Sequence, residues 1–198
     1  MENEKSSIEI LKGISKQSNW DIDIHEEVHS QRYGYTSRRV VIKNPLKKDL
    51  LFVSEQKSDI TKYHNYSGVF FPLSTKSDYH LIIRKRNAID KLRFRKNKLR
   101  FKTGSSLFDA NVYIETNNDL ETHKLLSGAK IQSEIVEFLN SFNCITIAVN
   151  ELNPDFNKEL KEKSFLSIFI TLSWMLEKEL INKAFTLCEK LKFKLTEK

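Results

Sequence analysis

The stretch that decides the fold is TGSSLFDANVYIETNNDLETHKLLSGAKIQSEIVEFLNSFNCITIAV, residues 103–149. Apolar and polar residues alternate over 110–114, which predicts a strand that the chain enters through Phe108 and Asp109. A second apolar run at 144–149 predicts a buried strand. Two strands of this length within one short stretch indicate a sheet.

The residues between these two strands predict helices. Asn118 predicts a helix N-cap, and Glu121 three residues later completes a capping box. The spacing of Ile131, Ile135 and Phe138 predicts a second, amphipathic helix. Strand, helical pair and strand in this order are typical of a mixed fold.

Further strand patterns precede this stretch, at residues 20–28, 38–43, 50–54, 69–71 and 79–84. The polar segment between Gln56 and Asn65 predicts a loop. Pro72 predicts that the strand before it stops there or lies at an edge of the sheet.

Both ends of the chain carry helical patterns. Ser6 and Glu9 predict a capping box that opens an N-terminal helix, and the apolar spacing over 176–191 predicts a C-terminal amphipathic helix. The apolar run 165–170 fits a strand and a helix equally well.

Together these patterns predict an α+β fold, a mostly antiparallel sheet packed against an N-terminal helix, a central helical pair and a C-terminal amphipathic helix. The length of 198 residues predicts a single domain over residues 1–198, with two lobes at about 1–102 and 103–198 as the alternative.

The run 103–140 resembles a segment that recurs in bacterial domains of unknown function. Those domains join a Gly-rich loop and a Phe-Asp pair to a strand, an acidic helix start, a Leu-Leu helix end and another helix. The matching residues are Gly104, Phe108, Asp109, Asp119, Leu125 and Leu126. The resemblance is centred on 104–139, extends over about residues 18–185, and implies an α+β domain without implying a reaction.

Composition indicates a cytoplasmic protein. The chain starts without an apolar signal region, and its longest apolar run, 165–176, is shorter than the ~20 residues that span a bilayer. Cys144 and Cys188 lie in apolar patterns, which predicts two core thiols in a reducing compartment. No motif for a nucleotide, flavin or other cofactor is present in the sequence, so we expect none.

Charge is distributed unevenly along the chain. Residues 1–102 hold 22 basic and 12 acidic residues, whereas residues 103–198 hold 11 basic and 14 acidic ones. We call residues 84–102 the basic segment, because it contains ten basic residues and a single acid, Asp90. Such asymmetry bears on binding partners, since the fold alone does not require it.

Within the basic segment, apolar residues fall on even positions up to Phe94 and on odd positions from Leu99, which predicts a hairpin with its turn at Lys96-Asn97. Its outer face then carries six basic residues, Lys91, Arg93, Arg95, Lys98, Arg100 and Lys102. Like charges placed opposite one another destabilise a strand pair. The hairpin therefore predicts binding to an anionic partner, namely a nucleic acid backbone, an anionic membrane surface or an acidic protein.

Seven other basic residues extend this surface if their strands are neighbours, namely Arg38, Arg39, Lys43, Lys47, Lys48, Arg84 and Arg86. A solvated face, protection of a sheet edge, or pairing with the acids of 103–198 explains the same charges without a partner. No RNA-recognition, KH, zinc-finger or recognition-helix motif accompanies them, so any nucleic acid would be bound through its backbone.

Residues 25–29 spell HEEVH, the metalloprotease signature. On a helix, His25 and His29 would ligate zinc and Glu26 would activate the bound water, which makes a zinc-dependent hydrolase the alternative function. The alternation of 20–28 favours a strand, however, and Glu26 is the residue that breaks it. A structural subunit of a larger assembly is a third possibility. Asp109 offers a catalytic acid, although an aspartate that binds loop amides is commoner.

Overall fold

The computed structural model describes residues 6–30, 35–47, 49–58, 63–73, 78–88, 90, 100–142, 144–152 and 163–196. Eight strands lie within these ranges and form one sheet in which every hydrogen-bonded pair is antiparallel. They are β1 (Asp21–Ser30), β2 (Tyr35–Lys43), β3 (Leu51–Ser58), β4 (Tyr63–Pro72), β5 (Leu81–Lys85), β6 (Val112–Thr116), β7 (Ile145–Val149) and β8 (Phe165–Thr171).

Five helices accompany the sheet within the same ranges: α1 (Ser7–Ser18), α2 (Ser106–Asn111), α3 (Asp119–Leu125), α4 (Ala129–Ser141) and α5 (Lys178–Thr196). The predicted α+β fold is confirmed, including its helices at both ends of the described chain. The predicted capping box of α1 is formed, because Ser6 Oγ accepts from the N–H of Glu9 and Glu9 Oε2 accepts from the N–H of Ser6. Asn118 caps α3 by accepting from the N–H of Glu121.

The strand order is β1-β2-β3-β4-β8-β7-β5-β6. The first four strands therefore form a meander, whereas β8 and β7 lie between that meander and β5-β6. The predicted loop at 56–65 is partly wrong, because β3 continues to Ser58 and β4 begins at Tyr63. The polar residues Gln56 and Asn65 pair with each other inside the β3–β4 ladder and do not mark the ends of the strands.

Of the two alternatives predicted for the strand before Pro72, the first is confirmed, because β4 ends at that residue. The edge position is wrong, since β4 is central, between β3 and β8. The last β3 pair in this direction joins Leu51 to Phe70, so Pro72 lies beyond the β3 ladder. The missing N–H of Pro72 therefore removes no hydrogen bond to β3.

The strand predicted over 110–114 begins later, at Val112, because residues 106–111 form the short helix α2. Asp109 explains the difference. Its carboxylate accepts hydrogen bonds from the N–H and Oγ1 of Thr103 and from the N–H of Gly104, each at 3.0 Å. These bonds fold the loop back on itself, so the chain makes one helical turn before it enters the sheet. Asp109 thus binds loop amides, the commoner of its two predicted roles.

The buried side chains of the helices pack against one face of the sheet, which we call the helix face. A second buried cluster lies on the opposite face, over the central strands: Val53, Tyr66, Phe70, Ala148, Phe165 and Phe169. β8 is therefore buried on both faces, from Phe165 to Ile170. This double burial explains why residues 165–170 show neither a strand nor a helix period. No helix in the described ranges combines the length and apolar character needed to cross a bilayer.

The two cysteines differ from each other in exposure. Cys188 is fully buried in α5, and burial raises the pKa of its thiol. The prediction of a core thiol is wrong for Cys144, which is exposed, in a left-handed turn with φ 65° directly before β7. The strand predicted from residue 144 begins one residue later, at Ile145, because of this turn.

We expect one thiol per chain to react with a maleimide in the native protein, and two after denaturation. Cys144 is accessible, whereas Cys188 has neither access nor an easily formed thiolate. Cys144→Ser should abolish native labelling, and Cys188→Ser should leave it unchanged. Mass spectrometry of the labelled protein gives the count, and rapid native labelling of Cys188 would contradict the packing of α5.

Candidate functional site

Four of the six residues on the predicted outer face of the hairpin, Lys91, Arg93, Arg95 and Lys98, lie outside the described residues, as does the hairpin turn. The structure places Arg100, half-buried, and Lys102, exposed, at the returning end of the basic segment.

The two ends of the basic segment come together at the edge of the sheet. β5 pairs with β6, and Arg100 forms a bridge to Glu115 on the other side of β6. The N–H of Phe101 donates to the carbonyl oxygen of Ile114 at 3.1 Å, and the Phe101 side chain packs against the helix-face core. Arg84 and Arg100 therefore lie on either side of β6.

Tyr113 lies between these two arginines. The Arg84 Cζ atom is 4.2 Å from the centre of the Tyr113 ring, and the Arg100 Cζ atom is 5.9 Å from it. Both distances are within the range of cation–π attraction. We call Arg84, Tyr113 and Arg100 the basic edge. No sequence signal pointed to Tyr113, because its contacts arise from the pairing of strands that are distant in the chain.

Asp90, the one acid of the basic segment, forms an ion pair with Arg84. Two parallel hydrogen bonds of 2.7 Å join the guanidinium to the carboxylate, and the Asp90 side chain is 3% exposed. Asp90 also exchanges hydrogen bonds with Asn87, each at 2.9 Å. The hydrogen bonds from Arg84 hold the pKa of Asp90 below its usual range, and those to Asp90 raise the pKa of Arg84. Asp90 is therefore ionised near neutral pH.

The condition under which the basic residues of β2 extend this surface, that their strand is a neighbour, is not met. Arg38, Arg39 and Lys43 lie on β2, which four strands separate from β5. Arg38 and Arg39 also point to opposite faces, and they pair with Glu26 and Glu55 respectively.

The remaining basic residues of that predicted surface have other positions. Lys47 pairs with Glu189 of α5, across the two halves of the chain, and Lys48 lies outside the described residues. Arg86 follows β5, and its Nη1 donates to the carbonyl oxygen of Asp109 in α2 at 3.3 Å. Of the seven residues, Arg84 is therefore the one that the structure places on the basic edge.

Comparison with known proteins gives no relative for this chain. No protein family matches it, and no match was found among curated proteins or solved structures. Any inference about its function therefore rests on the geometry of its own residues.

The HEEVH motif lies in a strand. All five of its residues belong to β1, so His25 and His29 are separated by about 13 Å along the backbone. Glu26 lies on the helix face beside Arg38, whereas His25 lies on the opposite face, near Glu27. The zinc mechanism needs both histidines and the glutamate on a helix, and β1 does not provide that arrangement. Among the described residues, no group of three metal-binding side chains is close enough to hold an ion.

Proposed function

We propose that this chain is a non-enzymatic cytoplasmic protein that binds a nucleic acid backbone through the basic edge and the adjoining basic segment. The proposal rests on the ion pair between Asp90 and Arg84. Asp90 is the one acid of the basic segment, so the segment itself contains no acid for its other nine basic residues. Phosphate groups are suitable counterions for these charges, and their binding releases the cations that are condensed on the nucleic acid.

The basic edge suits phosphate contacts. Arg84 is held by Asp90 on one side and by Tyr113 on the other, so little side-chain freedom remains to be lost on binding. Arg100 and Lys102 lie at the returning end of the segment, where Glu115 pairs with Arg100 in the strand register. The Tyr113 ring is itself buried, so it orients arginines and does not stack on bases. We therefore expect binding without sequence preference.

The test is a fluorescence titration of the protein against labelled single- and double-stranded DNA and RNA at about 20 mM and about 150 mM salt. Four charge reversals in one variant, Arg93, Arg95, Lys98 and Arg100 each to Glu, should lower affinity by about 100-fold or more at low salt, because four phosphate contacts become repulsive. Wild-type affinity should fall steeply as salt rises, because the release of counterions provides most of the binding free energy.

The matched control makes the same change in net charge on exposed helix positions, Lys16, Lys124, Lys130 and Lys183 each to Glu. At about 150 mM salt this variant should keep affinity within about fivefold of the wild type, because its changes lie on helices outside the basic segment and distant charges are screened. Equal losses in both variants would show that net charge alone is responsible. Absence of binding at the lower salt concentration would overturn the proposal and leave anionic vesicles or acidic proteins as the partner.

A further inference from the structure

A polar row crosses the helix face of β1–β4, far from the basic edge. The strand register places Glu26 beside Arg38, Arg38 beside Gln56, and Gln56 beside Asn65. The neighbouring row of the same face is packed into the protein, with Val40 and the hydrogen-bonded hydroxyls of Ser54 and Ser67 fully buried. The polar row is exposed at Glu26 and Arg38 and partly buried at Gln56 and Asn65, so it forms the boundary between the core and solvent on this face.

The polar row forms the wall of a pocket of about 530 Å³, which is within the range of small-molecule sites. Five residues at the start of α1 line a second side, namely Ser6, Ser7, Ile8, Glu9 and Lys12. Ser173, Trp174 and Leu176 line a third. Leu172, just before that third side, has φ 68°, a left-handed conformation that is strained for a bulky residue other than glycine. Its N–H donates to the Asn65 carbonyl oxygen at 2.8 Å, which holds the strained turn against the pocket. Strain of this kind concentrates at functional sites.

Several hydrogen-bonding groups in this wall have no partner within the described chain. Arg38 uses Nε to contact Glu26 Oε1 at 3.3 Å, and its two terminal nitrogens make no hydrogen bond to a described residue. The side-chain amide of Gln56 likewise makes none. The Glu26 and Arg38 side chains are each about half exposed, at 52% and 48%. The row therefore presents a carboxylate, a guanidinium and an amide to whatever enters the pocket.

The charges of the pocket select the class of ligand. Its described lining holds two acids, Glu9 and Glu26, and two bases, Lys12 and Arg38. The Glu9 carboxylate accepts the hydrogen bond of the helix cap from the N–H of Ser6. Glu26 and Arg38 are therefore the adjacent opposite charges that are available to a ligand. A polyanion would be repelled by Glu26, whereas a molecule with neighbouring ammonium and carboxylate groups matches both.

We infer that this pocket binds a small zwitterion of the amino-acid type. The ligand ammonium pairs with Glu26, and the ligand carboxylate accepts from the terminal nitrogens of Arg38. Gln56 hydrogen-bonds a polar group next to them. This function is independent of the basic edge, because β1–β4 and β5-β6 lie at opposite ends of the sheet. It also accounts for Glu26, the one residue that breaks the alternation of β1.

The test is saturation-transfer-difference NMR of the full chain with the twenty free amino acids and with diglycine, which separates free amino acids from peptide termini as the source. Succinate serves as a dianionic probe and N-acetylglycinamide as an uncharged one. At least one zwitterion should bind, and neither of the other two probes should compete with it. Glu26→Gln and Arg38→Gln should each lower its affinity about tenfold or more, because each removes a charge-assisted contact.

The same two strands provide matched controls. Glu27→Gln and Arg39→Gln change the same residue types one position along, on the opposite face, and should leave affinity within about twofold. Circular dichroism confirms that each variant is folded before binding is compared. The inference is overturned if no zwitterion binds the wild type, if succinate binds more tightly, or if the control variants lose affinity equally.

Discussion

Gly68→Ala is expected to lower the free energy of unfolding by at least about 3 kcal/mol, the upper part of the range for overpacking. A Cβ atom at Gly68 would lie 2.3 Å from the carbonyl oxygen of Ile168 and 2.5 Å from the Cβ of Phe169. Both neighbours belong to β8, and Gly68 pairs directly with Phe169. Relief of the clash therefore requires β4 and β8 to separate at the centre of the sheet. Urea denaturation followed by circular dichroism measures the loss.

Gly13→Ala is the matched control for this change. Gly13 lies in α1, and a Cβ atom there would meet nothing within 4 Å. Since alanine favours the helix more than glycine does, we expect this variant to be more stable by about 0.5–1 kcal/mol. A Gly68→Ala protein that unfolds at the wild-type urea concentration would contradict the pairing of β4 with β8.

Asp90→Asn is expected to cost about 2 kcal/mol at pH 7, somewhat less than the usual loss for breaking a buried ion pair. The Asp90 side chain is buried and the Arg84 side chain is 29% exposed, so the guanidinium left behind is partly hydrated. The Arg84 side chain would also lose one of the two groups that orient it over Tyr113.

The pH dependence of this loss has a definite sign. Because the pKa of Asp90 is lowered in the folded state, its ionised form stabilises the fold above the unfolded-state pKa, about 3.9, and this contribution disappears as the pH falls through the folded-state pKa. The stability difference between wild type and Asp90→Asn should therefore be full at about pH 6–7 and shrink below about pH 4. Urea titrations at several pH values between about 7 and about 3 follow it.

Glu134→Gln is the control, because Glu134 forms an ion pair with Lys190 that is more exposed than that of Asp90. Surface pairs contribute little, so we expect a change within about 0.5 kcal/mol. A pH-independent difference for Asp90→Asn would show that the hydrogen bonds to Asn87, and not the charge on Asp90, provide the stability.

Local signals are enough to predict much of the fold. The alternation of 20–28 predicts β1, and the Ser6–Glu9 spacing predicts the cap of α1. The apolar spacing of Ile131, Ile135 and Phe138 predicts α4. Each signal depends on neighbours within about one turn or a few residues, where sequence patterns are most informative.

The errors come from contacts between distant residues. Pro72 correctly indicates where β4 ends, but its second indication, a sheet edge, is wrong because β4 pairs with β8 on its other side. Residues 110–111 continue the strand period, but the bonds from Thr103 and Gly104 to Asp109 turn them into helix. Cys144 follows an apolar pattern, but a left-handed turn exposes it.

The binding residues divide in the same way. The charge of the basic segment is visible in the sequence. The ion pair between Asp90 and Arg84 and the contact of Arg84 with Tyr113 are not, because they depend on tertiary structure and on the pairing of β5 with β6. Glu26 is visible as a break in alternation. Its neighbours Arg38 and Gln56 are brought into line with it only through the strand register, so the row they form is hidden from the sequence.

The strand order also has a consequence for biosynthesis. β4 leaves the ribosome long before β8, since Pro72 of β4 pairs with Phe165 of β8. During that interval one edge of β4 has no partner, and the apolar side chains of Val69 and Phe70 lack the neighbours that later bury them. A strand with an unpaired edge and exposed apolar side chains can pair with another chain, which leads to aggregation. Slow translation between these two strands would therefore reduce the yield of soluble protein, and a chaperone that holds extended apolar segments would raise it.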